Sequence, residues 1–270
     1  MNPSGVTLQP IEGLSHIVAV GSGKGGVGKT TVAVNLAVSL AAQGHKVGLM
    51  DADVYGPNVP LMMGIRDNPN AIGERIQPLQ SHGVKLMSMG FLSPGDKPLV
   101  WRGPMLHSVM QQFIRGVDWG VLDFLVIDLP PGTGDVQLSL VQTTPLSGAV
   151  IVTTPSEVSL EDARKAVKMF EQVRVRVLGM VENMSYMLGP NGEHIDVFGQ
   201  GGGKRTAEAM GIPFLGELPL DPQVRVGGDS GRPAALDPAG KGAAFHNLAR
   251  GVAASLATSA SSGPKITLAD

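Results

Sequence analysis

Gly21-Ser22-Gly23-Lys24-Gly25-Gly26-Val27-Gly28-Lys29-Thr30-Thr31 is the stretch that decides the fold. From Gly23 onward it satisfies G-x-x-x-x-G-K-[ST] in full. An apolar, β-branched run at residues 16–20 precedes it. After it, residues 29–43 place Leu36, Ala37, Leu40 and Ala41 on one helical face, with Gly44 as the stop. A strand that turns through glycines into a helix is the context this motif needs. Its backbone N–H groups turn inward around phosphate oxygens, and the helix adds its positive N-terminal end. In this pattern Lys29 reaches the β- and γ-phosphates and the Thr30 hydroxyl takes a position on Mg²⁺, so the expected ligands are ATP and Mg²⁺. Gly23, Lys24, Gly25, Gly26, Val27, Gly28 and Thr31 complete the binding loop.

Working outward, further short apolar runs at residues 46–50, 84–89, 124–128, 149–153, 177–182 and 214–217 alternate with longer helical patterns. The clearest helix covers 159–173, with Leu160, Ala163, Val167 and Phe170 on one face and Ser159 as the expected N-cap. Such alternation predicts an α/β fold: a doubly wound, mostly parallel sheet flanked by helices on both faces. Residues 66–80 and 189–203 read as loops. One domain is expected over 16–257, after a flexible segment 1–15 and before a disordered Ser/Ala/Gly-rich tail 258–270.

Two of the strands end in acids, at the sheet edge where such folds bind ligands. After residues 46–50 comes Asp51-Ala52-Asp53, followed by Val54-Tyr55-Gly56-Pro57. One carboxylate suits magnesium through water, and the other suits orienting or deprotonating the attacking water. Asp128 closes the second strand, as a Walker B acid does, and is expected behind magnesium. The turn Pro130-Pro131-Gly132-Thr133-Gly134 offers backbone amides to a γ-phosphate, and Asp135 is expected to cap the next helix.

Bulk properties narrow the partners. The 270 residues carry a net charge of −2 and 4% aromatics, which favours neither a nucleic-acid groove nor an anionic membrane surface. No apolar run reaches the roughly 18 residues of a membrane span, so a cytoplasmic location is expected. The cysteine count is 0, which excludes disulfides and thiolate-held metals within this chain.

With these elements in order, the chain resembles the deviant Walker A ATPases, which include MinD, ParA, ArsA and the nitrogenase iron protein. More narrowly it resembles the Mrp/ApbC family, through residues 21–31, 51–57, Trp101-Arg102-Gly103-Pro104-Met105, 128–135, Glu182-Asn183-Met184-Ser185-Tyr186 and 198–203. That resemblance implies a homodimeric ATPase that carries or assembles iron–sulfur clusters and closes over nucleotide. It implies that Lys24 reaches the nucleotide of the opposite subunit, that Asp53 assists hydrolysis, and that Asp51 serves magnesium. Asn183 would read the adenine edge, with Pro219 and Asp221 lining the base on its other side. Cluster carriers of the family place a C-x-x-C pair after the N-M-S segment to hold a [4Fe–4S] cluster. Here residues 187–194 read Met-Leu-Gly-Pro-Asn-Gly-Glu-His, without a thiolate. Direct cluster ligation is therefore not expected from this chain, and a cysteine-bearing partner or iron–sulfur client becomes one way to retain the role. The alternative from another class is a MinD- or ParA-like positioning switch.

Overall fold

The computed structural model describes residues 8–92 and 103–260. In chain order, β1 (Leu14–Ser22) leads into α1 (Lys29–Ala42), β2 (Val47–Asp51), α2 (Val59–Met62), β3 (Ala71–Ile72), β4 (Arg75–Ile76), β5 (Leu79–Ser81) and β6 (Val84–Ser88). Then come α3 (Gly103–Arg115), β7 (Leu122–Asp128), α4 (Asp135–Thr143), β8 (Gly148–Thr153), α5 (Glu157–Gln172) and β9 (Val177–Glu182). The last part holds β10 (Met187–Leu188), β11 (His194–Ile195), α6 (Gly202–Ala209), β12 (Phe214–Glu217), α7 (Pro222–Asp229) and α8 (Ala243–Ala260).

The main sheet has 8 strands in the order β12-β9-β8-β1-β7-β2-β6-β5. Every neighbouring pair is parallel except β5 with β6. Because successive side chains on a strand point to opposite faces, the sheet feeds two cores. Val18 and Val20 pack with Leu36 and Leu40 of α1 and Leu248 and Val252 of α8. Ile17 and Ala19 pack on the other face with Met110 and Phe113 of α3 and Val167 and Phe170 of α5. Strands buried on both sides explain why the central runs read as unbroken apolar stretches. The doubly wound, helix-flanked sheet expected from the sequence is the observed one.

Five local expectations change. The 66–80 segment is not wholly a loop: β3 and β4 pair across Gly73 (φ 61°), and β5 adds an antiparallel edge to the main sheet. Within 189–203, β11 pairs with β10. Helix α5 begins at Glu157 with Ser156 as its N-cap, because the Ser159 hydroxyl is engaged by Thr154 Oγ1 at 2.7 Å and Ser156 Oγ at 3.0 Å. Asp135 is the first residue of α4, not its cap, which is Gly134; its charge sits in the first turn, where a carboxylate favours the helix dipole. At the chain's end, α8 takes in residues 258–260, while 1–7 and 261–270 lie outside the described residues, as do Trp101 and Arg102.

Candidate nucleotide site

β1 delivers the glycine loop to the first residue of α1, Lys29. Gly26 and Gly28 both adopt φ 81°, in the left-handed region that a side chain disfavours. At Gly28, the residue that caps α1, a Cβ would also run into the Asn183 amide. Gly23 lies so close to the Asp162 backbone of α5 that a Cβ would collide with it. Gly25 and Gly26 are exposed, while Val27 is buried in the core and anchors the loop.

Three strand ends converge behind this loop. Lys29 Nζ donates to Asp128 Oδ1 at 2.7 Å, and Thr30 Oγ1 donates to Asp128 Oδ2 at 2.7 Å. The Asp53 Oδ2 stands 3.8 Å from the same ammonium. Asp53 Oδ1 accepts from the backbone of Tyr55 and Gly56 at 3.0 and 3.3 Å, which fixes the carboxylate inside its own turn. Asp51 and Asp128 are directly paired in the β2–β7 register, and Ala52 N donates to Asp128 O at 2.9 Å.

Asp51 is fully buried. Its Oδ2 accepts from Ser88 Oγ at 2.7 Å and from Val59 N at 3.4 Å, and its Oδ1 accepts from Asp53 N at 3.1 Å. Burial first, and the Asp128 carboxylate second, push its pKa from 3.8 up to about 7. Burial likewise raises Asp128, against the lowering influence of Lys29. A single ammonium here faces three carboxylates, so the cluster lacks positive charge when all are ionised. A divalent cation beside Thr30 and Asp128 would fill that deficit, so hard oxygen donors and charge both fit Mg²⁺. Ser88, which braces Asp51 from β6, carried no motif in the sequence; a lone Ser at a strand end gives no such signal.

The turn after Asp128 is wired to the glycine loop: Gly132 N donates to Ser22 O at 3.1 Å and Leu129 N to Val20 O at 3.1 Å. Lys24 is half-exposed, and its ammonium has no hydrogen bond or ion pair among the described residues, although its carbonyl accepts from Ser22 Oγ at 2.9 Å.

Beside the loop lies a cleft of about 530 Å³ that brings together Thr31, Asn183, Pro219 and Asp221. In this arrangement Asn183 Nδ2 donates to Val27 O at 2.8 Å. Asp221 caps α7 by accepting from Gln223 N at 2.7 Å. Asn58, Leu61 and Met62 line the cleft too, as do Val224 and Gly228, and none of these was singled out by sequence reasoning.

Further out, β10 and β11 form an exposed hairpin closed by Gly189 N donating to Glu193 O at 2.8 Å. Tyr186 and His194 stack with ring centroids 4.0 Å apart. Glu193 is turned to the Asn191 backbone, and among the described residues no group of three or more His, Cys, Asp or Glu is placed to hold a metal. The donors present do not fit an iron–sulfur cluster.

The chain matches the family described as ParA: NUBPL iron-transfer P-loop NTPase over residues 13–253. It belongs to that family. Among its relatives, the iron-sulfur cluster carrier protein of Synechocystis sp. is 51% identical over 234 residues, which cover 83% of this chain and 66% of that protein. The chain thus spans just under two thirds of that relative's length. Among solved structures, a nucleotide-binding protein of Archaeoglobus fulgidus, in complex with ADP and with cobalt found, is 40% identical with a TM-score of 0.74, covering 82% of this chain and 88% of that one. The cell division ATPase MinD of Pyrococcus furiosus is 25% identical with a TM-score of 0.66, covering 89% and 99%. Family membership accounts for the glycine loop and its acids, and among the described residues no helix is long and apolar enough to cross a membrane.

Proposed function

We propose that this chain binds ATP with Mg²⁺ at residues 21–31, hydrolyses it, and works as a homodimeric ATP-driven switch in iron–sulfur cluster transfer, with the cluster's thiolates supplied by a partner. The observation that carries the reading is Asp128 bonded at once to Lys29 and Thr30, with Asp53 held 3.8 Å from the same ammonium. Support for the iron–sulfur role comes from the family match and from the carrier name of the Synechocystis relative.

In the proposed mechanism the loop amides and Lys29 hold the β- and γ-phosphates, and Lys29 exchanges its contact with Asp128 for them. Thr30 and Asp128 would hold magnesium, with Asp51 behind them on the neighbouring strand, and the cation would supply neutralisation of phosphate charge. Asp53, fixed by the Tyr55 and Gly56 amides, orients a water and takes its proton as that oxygen bonds to the γ-phosphorus. The bond to the β–γ bridging oxygen breaks, leaving ADP and phosphate. Lys24, without a partner among the described residues of its own subunit, completes the site of the other, so closure and hydrolysis are linked. Gly132, tied to Ser22, moves when the γ-phosphate leaves. Asn183, Pro219 and Asp221 receive the adenine.

The test is anaerobic reconstitution with iron and sulfide, run beside an ATP-binding and hydrolysis assay. The expected result is Lys29-dependent ATP turnover with no stoichiometric cluster on the chain alone. Absence of nucleotide binding would remove the switch, and a stable cluster on this chain would remove the need for a partner's thiolates.

A further inference from the structure

Gln137, in the first turn of α4, is 1% exposed, and neither its Nε2 nor its Oε1 has a hydrogen-bond partner among the described residues. It lies directly behind the glycine loop: a Cβ on Gly21 would stand 3.1 Å from Gln137 Nε2 and 3.2 Å from the Phe170 ring. We propose that Gln137 is a positioning residue of the ATP-bound form, where its amide donates to the Ser22 carbonyl once the γ-phosphate has drawn the Gly132 amide away from it. The proposal rests on the reading of residues 21–31 as the triphosphate site.

The buried amide is costly where it stands. It has given up water without gaining a bond, whereas nearly all buried polar groups in folded chains are bonded. Its surroundings are apolar, since Ile17 and Ala19 of β1, Phe170 of α5 and Leu140 and Val141 of its own helix share that face of the sheet. A methionine would suit this arrangement better. A glutamine gains its use in a second arrangement, where the amide finds an acceptor.

Ser22 supplies that acceptor. Its carbonyl accepts from Gly132 N at 3.1 Å, and it follows Gly21, against which the Gln137 amide lies. When the Gly132 amide turns to the γ-phosphate, Ser22 O loses its donor at the base of the loop. Gln137 Nε2 can take the place without breaking any bond of its own. The exchange leaves Gly132, Ser22 and Gln137 all bonded, which favours the form with γ-phosphate bound.

Helix α4 is seated to make that step. Of its nine residues only Gln137, Leu140 and Val141 are buried. The turn ahead of it has room, because a Cβ on Gly132 (φ 91°) or on Gly134 would meet nothing within 4 Å. The far end is held instead, with Gln111 Nε2 of α3 donating to Thr143 O at 3.2 Å. The first turn can therefore pivot about the last, carrying Gln137 with the phosphate-sensing turn.

The experiment uses Gln137→Met, which keeps the volume and removes the donor. Without nucleotide, its midpoint in chemical denaturation is expected to lie above that of the unaltered chain, because no orphaned amide remains. Mg–ADP is expected to bind both chains alike, while Mg with the β,γ-imido analogue of ATP binds the variant about tenfold more weakly. A lowered midpoint would overturn the proposal by showing that the amide is already satisfied without nucleotide. An equal change for both nucleotides, or unchanged binding of the analogue, would overturn it by reducing Gln137 to packing. Failure of the underlying reading looks different: the unaltered chain would then bind the analogue no better than Lys29→Ala does.

Discussion

Asp128 grips two neighbouring side chains of the phosphate loop, Lys29 through Oδ1 and Thr30 through Oδ2, each at 2.7 Å. Removing the ammonium alone leaves a buried carboxylate uncompensated, a change that costs about 3 kcal/mol or more. Lys29→Met should thus lower stability without nucleotide as well as abolish ATP binding. In chemical denaturation the double variant Lys29→Met/Asp128→Asn should recover most of the stability and none of the binding. Additive losses in that cycle would show that the pair is not coupled.

Asp51 predicts a pH dependence. Its folded pKa, about 7, lies above its ordinary 3.8, so the fold holds that proton more tightly than the unfolded chain. The resulting stabilisation is complete below about pH 4 and is lost as pH rises through 7, by at most about 4 kcal/mol. Without nucleotide or magnesium, the stability of Asp51→Asn should fall less between pH 5 and 8 than that of the unaltered chain. Parallel curves would remove Asp51 as the titrating group.

For Asp53→Asn, the retained amide oxygen keeps the Tyr55 and Gly56 contacts, so the turn should survive. ATP affinity should stay within a few fold while turnover drops by about a hundredfold or more, the usual contribution of a general base. Equal single-turnover rates would take Asp53 out of the chemistry.

Lys24→Ala removes a half-exposed ammonium without a partner among the described residues, so its stability should change by less than about 0.5 kcal/mol. ATP should still bind, but ATP-driven dimerisation, read by light scattering, should disappear together with turnover. Retention of both would rule out a role across the dimer.

Legibility in the sequence followed length and environment. The β1 and β7 strands declared themselves as unbroken apolar runs, and the α1 and α5 helices by the helical spacing of their apolar residues, with Gly44 marking the stop of α1. The four-residue α2 and the two-residue β3, β4, β10 and β11 are too short to show any period; α2 and β10 were not foreseen, and the segments holding β3, β4 and β11 read as loops. The lysine and threonine that open α1 and the acids Asp51, Asp53 and Asp128 could be singled out because the phosphate-loop pattern and the acid-ended strands carry a sequence signal, and the structure brings them together. Ser88 and the cleft residue Leu61 were not, since they come to the site only through register and packing between segments distant in the chain. Ser159 misled as a cap because a serine pattern cannot reveal that Thr154 already claims the hydroxyl.

The hairpin of β10 and β11 stands apart from the sheet, pairs only with itself, and is followed by residues exposed as far as Gln200. A substitution at its exposed positions 188 and 190–200 meets no strand of the eight-stranded scaffold, so such changes should leave the folding stability within about 0.5 kcal/mol. The fold thus keeps this hairpin mechanically independent of the sheet edge that carries Asp51 and Asp128, since no strand pairing links the two sheets.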